Sequence, residues 1–135
     1  MNLKTLKSLL VLAIILLGSC ANKDEPTLKG NWEVRSIMDQ SRFDQAPNFL
    51  INLETMKIAG FSGCNRFFGS IKTQGNSLTF YQMGGTRMAC PDMTAENLFI
   101  TTIPKVRSFA FEKNYLEFLS ESKEVLMTLK PMEVK

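Results

Sequence analysis

Through most of this chain polar and apolar residues change places at every second position, and the fold must satisfy that period. Side chains alternate between the two faces of a β-strand, so a period of two with one apolar face reads as half-buried sheet. Trp32, Val34, Ser36 and Met38 fall on one face of a first strand, opposite Glu33, Arg35 and Ile37. Arg42 to Asn48 carries charge and Pro47 and reads as a loop. Phe49, Ile51 and Leu53 alternate with Leu50, Asn52 and Glu54 in a second strand, and Met56 to Phe61 makes a third. Phe67 to Thr73 and Ser77 to Gln82 predict a hairpin about Gln74-Gly75-Asn76, and Gly84-Gly85 breaks the pattern behind it. Ser108 to Glu112, Tyr115 to Leu119 and Val125 to Lys130 complete the series, with turns at Lys113-Asn114 and Glu121 to Lys123.

One segment departs from this period. Ala95, Phe99, Ile103 and Val106 are spaced i, i+4, i+8 and i+11, with Leu98 and Ile100 beside them, which is one apolar stripe of a helix. Asp92 is placed to cap its start, and Glu96 in the first turn complements the helix dipole. Pro104 lacks the N–H that would bond back to Ile100, so the helix ends or bends there. The sum is an α+β fold, mostly antiparallel β. About seven or eight short strands form a curled sheet packed on one helix, because a single striped helix must bury its stripe against something.

The first residues belong to a different kind of segment. Lys4 and Lys7 precede the unbroken apolar run Leu9 to Leu17, and Gly18 and Ser19 lead into Cys20. That is the plan of a secretory signal. Nine helical residues rise only about 14 Å, against roughly 30 Å of hydrocarbon core, which argues against a permanent span. Leu17-Gly18-Ser19-Cys20 resembles the bacterial lipobox. The resemblance implies diacylglycerol on the Cys20 thiol, cleavage before Cys20 and acylation of the new amino terminus. Acyl chains at roughly 0.8 kcal/mol per buried methylene would hold such a protein firmly on a membrane. Residues 1–19 are then a signal peptide, 20–27 a lipidated polar tether and 28–131 the folded domain. Lys23-Asp24-Glu25 resembles a surface-export tag of some Gram-negative lipoproteins, or is simply a soluble linker. The expected location is the cell envelope, lipid-anchored to the outer membrane of a Gram-negative bacterium, facing the periplasm or the outside.

Lipid on Cys20 would leave Cys64 and Cys90, an even pair in an oxidising compartment, which reads as a disulfide. The bridge would close a loop worth roughly 3.5 kcal/mol in the chain-entropy model. Two buried thiols are the alternative. A metal pair is poorly supported, since the chain has no histidine. Removing Lys4 and Lys7 takes the 16 basic residues to 14 against 13 acidic ones. A balance this even, with the signs interspersed, argues against nucleic acid as a partner. Without histidine the commonest general base is also missing, and no GxSxG, P-loop or dinucleotide fingerprint appears. No catalytic residue, metal or cofactor is therefore assigned, although a carboxylate pair assembled in space would support a hydrolase.

Sequence information is densest in Gly60-Phe61-Ser62-Gly63-Cys64-Asn65-Arg66-Phe67-Phe68-Gly69 and in Thr86-Arg87-Met88-Ala89-Cys90. The order Gly63-Cys64-Asn65, Gly69, Gly75, Leu78, Thr86, Met88, Cys90, Glu96 and Phe99, with Trp32 before it, resembles the META domain or HslJ-like heat-shock protein family over roughly 28–131. The resemblance implies a small half-barrel-like β domain packed on a helix, and an association with heat or antibiotic stress. It implies no reaction. Pro104 departs from the family's longer helix.

Asn65 tolerates a left-handed backbone and can bond locally. Arg66 and Arg87 flank the cysteines, and read either as an anion dock or as cations paired at the surface. Phe67, Phe68, Phe80, Tyr81 and Met83 read either as core or as an apolar groove. Asn65, Arg66, Phe67, Phe68 and Arg87 are thus the candidate contacts to a ligand or partner. The expectation is a non-enzymatic envelope lipoprotein. It would bind a partner protein or small apolar ligand and support stress tolerance, or else escort an outer-membrane protein during assembly.

Overall fold

The computed structural model describes residues 25–133. The signal segment, Cys20 and Lys23-Asp24 lie outside the described residues. Eight antiparallel strands follow one another: β1 (Gly30–Ile37), β2 (Asn48–Asn52), β3 (Lys57–Phe61), β4 (Arg66–Gln74), β5 (Ser77–Gly85), β6 (Ser108–Glu112), β7 (Tyr115–Leu119) and β8 (Val125–Pro131). Each pairs with its neighbour in sequence, and β1 pairs with β8 to close the ring. Between β5 and β6 run the helix α1 (Thr94–Thr102) and a 3₁₀ turn (Ile103–Lys105). The mostly antiparallel sheet curled round one helix is the architecture that the alternating sequence predicts.

The seams of the ring are unequal. β4 and β5 pair along their length, whereas β5 and β6 share a single register pair, Ser77 with Ser108. Two backbone bonds flank that pair, Leu78 N–H to Arg107 O at 2.9 Å and Phe109 N–H to Asn76 O at 2.9 Å. Beyond them the two strands part, and the helix occupies the opening.

The helix stripe lies where its spacing puts it. Ala95, Phe99, Ile103 and Val106 are all buried. Phe99 packs between Phe49 of β2 and Phe67 of β4, with ring centroids 5.9 and 4.9 Å away. Aromatic pairs at such tilted geometries add roughly 0.5–1.5 kcal/mol beyond their buried area. Phe118 extends the cluster, stacked on Phe49 at 6.2 Å and tilted against Phe80 at 5.5 Å. Trp32, the cross-strand partner of Phe49, is also buried, and its indole N–H donates to Leu28 O at 3.0 Å. The α-helix stops at Thr102 and the 3₁₀ turn carries Pro104, in line with the missing N–H. Asp92 bonds the backbone N–H of Thr94 at 2.9 Å, while the cap position itself is Met93 and has no side-chain bond.

Two expectations are corrected by bulges. The first strand was expected to present Ser36 and Met38 with Trp32 and Val34. Its register against β8 shifts between Val34 and Ser36. An extra residue flips every later side chain to the opposite face, so Ile37 is fully buried and Met38 is 55% exposed. Gly84-Gly85 was expected to end the fifth strand. β5 instead runs through both glycines, carried past a register shift opposite Phe68/Ser70, where Gln82 takes a φ of 52°.

Candidate functional site

Glu96 enters the interior from the first turn of α1, on the same face as Phe99 and Ile103 three and seven residues later. A buried carboxylate needs full hydrogen bonding, and the turn between β3 and β4 supplies it. Oε2 accepts from Ser62 Oγ at 2.5 Å, from the Cys64 N–H at 3.2 Å and from the Asn65 N–H at 3.2 Å. Oε1 accepts from Asn65 Nδ2 at 3.0 Å. Burial pushes the Glu96 carboxyl up, but the bonds from Ser62, Asn65 and Cys64 outweigh it and hold the group below the ordinary value of 4.5.

Asn65 relays this anchor onward. Its Oδ1 accepts from Thr86 Oγ1 at 2.9 Å and from the Met88 N–H at 2.6 Å, and its Nδ2 also reaches Met88 O at 3.2 Å. One buried amide therefore joins the turn, the helix and the segment after β5. Gly63 permits the approach: its φ is 116°, and a Cβ there would lie 2.7 Å from Ala95 Cβ and 2.8 Å from Glu96 N. The same turn is stapled to the segment after β5 by a disulfide between Cys64 and Cys90, whose Cα atoms are 5.9 Å apart.

Above this knot the parted strands leave a cavity of about 600 Å³, within the usual range for small-ligand sites. Phe67, Phe99 and Ile103 form its deep part. Met83, Met88 and Ile100 stand at its rim, 36%, 60% and 53% exposed. Met83 reaches over the inner face of β4, where its sulfur takes the place that a side chain at Gly69 would need. Arg66 and Arg87 also line the opening, both exposed. Among the described residues the ion pairs are Lys29–Glu54 and Lys130–Glu33, so neither arginine has a carboxylate partner. Glu96 is the one carboxylate lining the cavity, and both its oxygens are engaged from within.

The candidate contacts thus part company. Arg66, Phe67 and Arg87 line one cavity. Asn65 touches its wall but is buried and committed to Glu96, Thr86 and Met88. Phe68 lies outside the cavity, 61% exposed, with its ring over Gly84. The aromatic zone divides in the same way, Phe67 and Phe80 packing inward while Tyr81 and Met83 are exposed. Glu96 is more than the dipole partner expected in a first helical turn: it is the centre of the buried knot. The signal was its i, i+3, i+7 relation to Phe99 and Ile103, which places it on the buried stripe. No group of three or more metal-ligating side chains occurs among the described residues, and none of their helices is long and apolar enough to cross a membrane.

The family model described as META domain matches residues 25–133. Among solved structures, a protein from Burkholderia xenovorans determined by NMR superposes with a TM-score of 0.62 at 18% identity, covering 78% of this chain and 83% of its own. A second NMR structure gives a TM-score of 0.61 at 24% identity, covering 76% of this chain and 89% of its own. These likenesses establish the fold. No curated protein matches the chain significantly.

Proposed function

Given that this chain belongs to the META-domain family, we propose that it is a non-enzymatic binding module of the bacterial cell envelope. Lipid on Cys20 holds it at a membrane, and the cavity between β5 and α1 takes an apolar group from a small ligand or a partner protein. The carrying observation is the cavity itself: about 600 Å³, floored by Phe67 and Phe99 and rimmed by exposed Met83, Met88 and Ile100. Large apolar side chains grouped at an opening are ordinarily covered by a ligand or partner. Methionine suits such a rim, because its flexible, polarisable chain adapts to varied shapes. Arg66 and Arg87 add a preference for an occupant with negative charge near its apolar part. A non-enzymatic role is supported by the single lining carboxylate, Glu96, whose oxygens are both engaged by the turn between β3 and β4 rather than by a reactant.

The binding reading is tested with the fluorescent apolar anion anilinonaphthalene sulfonate and the folded domain. Saturable one-to-one binding is expected, with amide shifts confined to β5, residues 86–89 and α1. Absence of saturation, or shifts scattered over the surface, would count against it. For the envelope role, deleting the gene should raise sensitivity to heat, detergents and hydrophobic antibiotics; unchanged sensitivity would remove the stress part. Intact-mass analysis of membrane-extracted protein should show a chain starting at an acylated Cys20, and an unmodified Cys20 thiol would remove the anchor.

A further inference from the structure

The cavity is bordered by something a small ligand does not need, a length of strand with one side unpaired. β5 joins β6 only at Ser77, and Leu78 N–H makes the last backbone bond across that seam. From Thr79 to Gly85, β4 is the only backbone partner of this strand among the described residues. An unpaired edge exposes N–H and C=O groups ready to receive another strand, and proteins ordinarily blunt such edges with charge or proline. Thr79-Phe80-Tyr81-Gln82-Met83-Gly84-Gly85 has neither, and the one device of that kind it carries is a bulge. The bulge at Gln82 bends the edge and turns its second half toward the cavity, where Met83, Gly84 and Gly85 form one lip and α1 the other.

From this we propose that the occupant is an extended segment of another polypeptide, which adds to the free edge of β5 and lowers one apolar side chain into the cavity. The inference rests on the binding reading above and names its partner class. Main-chain bonds to β5 would supply register, and the cavity would select the side chain, the usual division of labour in strand addition. Arg66 and Arg87 line the same opening without carboxylate partners, so the segment that fits best carries an acidic residue next to its apolar one. The partner is then an unfolded or extended stretch with alternating apolar and acidic residues. A second copy of this chain fits less well, because its own β5 offers no acid to the arginines.

Synthetic nine-residue peptides with alternating apolar and acidic residues, blocked at both ends, are the probe, titrated into the intact domain. Binding should slow amide exchange of residues in the 79–85 stretch. N-methylation of alternate residues along one edge of the peptide removes its donors without altering the protein. Each lost backbone bond is worth up to about tenfold in affinity. Methylation on the edge that faces β5 should therefore weaken binding by about tenfold or more, and methylation on the other edge should not. Arg87→Glu should weaken the acidic peptides and leave amide-substituted versions unchanged. Equal effects of both methylation patterns, or peptide binding without exchange protection on β5, would overturn strand addition. If anilinonaphthalene sulfonate binds the cavity while no peptide binds, this inference fails and the binding reading stands. If neither binds, both fail. Slowed exchange on β5 that rises with protein concentration alone, with dimers in sedimentation, would make the occupant a second copy and refute a foreign segment.

Discussion

Replacing Glu96 by Gln keeps the size and reach of the side chain and removes only its charge. In the native site Oε2 accepts three hydrogen bonds and Oε1 a fourth. Glutamine can set its oxygen against Ser62, Cys64 and Asn65, but its NH₂ then faces the NH₂ of Asn65. Flipping Asn65 does not help, because its Oδ1 already accepts from Thr86 and from the Met88 N–H. Bonds to a charged acceptor contribute about 1.5–3 kcal/mol and neutral ones about 0.5–1.5. The three bonds at Oε2 should therefore weaken by about 1 kcal/mol each, and the fourth is lost to a donor–donor contact. The expected cost of Glu96→Gln at pH 7 is about 5 kcal/mol, or roughly 20 °C in Tm for a domain of this size. The folded carboxyl titrates below its ordinary value of 4.5, so its contribution is present above pH 4.5 and disappears as pH falls through the folded value. The variant has no such dependence, so the gap between the two proteins should narrow in acid, by at most about 1.4 kcal/mol for each pH unit below 4.5. Trp32, the single tryptophan and a buried one, reports urea unfolding at pH 7, 5, 4 and 3 with the disulfide intact. A gap below about 1 kcal/mol at pH 7, or one that stays constant into acid, would refute the account of Glu96 as the charged centre of the knot.

Three further outcomes follow from the same geometry. Cys64→Ser with Cys90→Ser removes a cross-link spanning 26 positions and should lower stability by roughly 3.5 kcal/mol in urea unfolding. Gly63→Ala should cost well over 2 kcal/mol, because it adds a methyl group against Ala95 at a φ of 116°, whereas Gly75→Ala, at a φ of 58° with open space around it, should cost about 1. Ile100→Asp, at an exposed rim position, should abolish anilinonaphthalene sulfonate binding while changing stability by less than about 0.5 kcal/mol.

The strands and helix were legible because their patterns are local. Alternation in Phe49 to Ile51 and Tyr115 to Leu119 names the buried face without any knowledge of partners, and the spacing of Ala95, Phe99 and Ile103 does the same for the helix. Bulges were not legible. The slip beside Ser36 and the left-handed Gln82 depend on how long the partner strand is, and that information sits far away in sequence. The candidate site was half legible. Arg66, Phe67 and Arg87 were named and do share a cavity. Asn65 was named as a contact and lies in the buried knot, while Phe68 faces outward because the alternation of β4 separates it from Phe67. Glu96 was misjudged for a physical reason: a carboxylate in a first helical turn has a sufficient explanation in the dipole, and its buried partners come from a turn some thirty residues earlier.

The sequential order of the strands governs how the domain is completed. Seven of the eight seams join neighbours in the chain, and all of these except β5–β6, which has the helix between its strands, can form as hairpins one after another as the polypeptide emerges, each at small loop-closure cost. The seam between β1 and β8 is the exception, pairing Trp32 with Pro131 and Ile37 with Met127. Until the last strand arrives, β1 has one unpaired edge, and Leu126, Met127 and Leu129, all buried in the finished ring, are not yet in place to cover the interior. Closure thus waits on the final segment, and a ribosome that stops short of it releases a sheet whose β1 and β7 margins are both left unpaired.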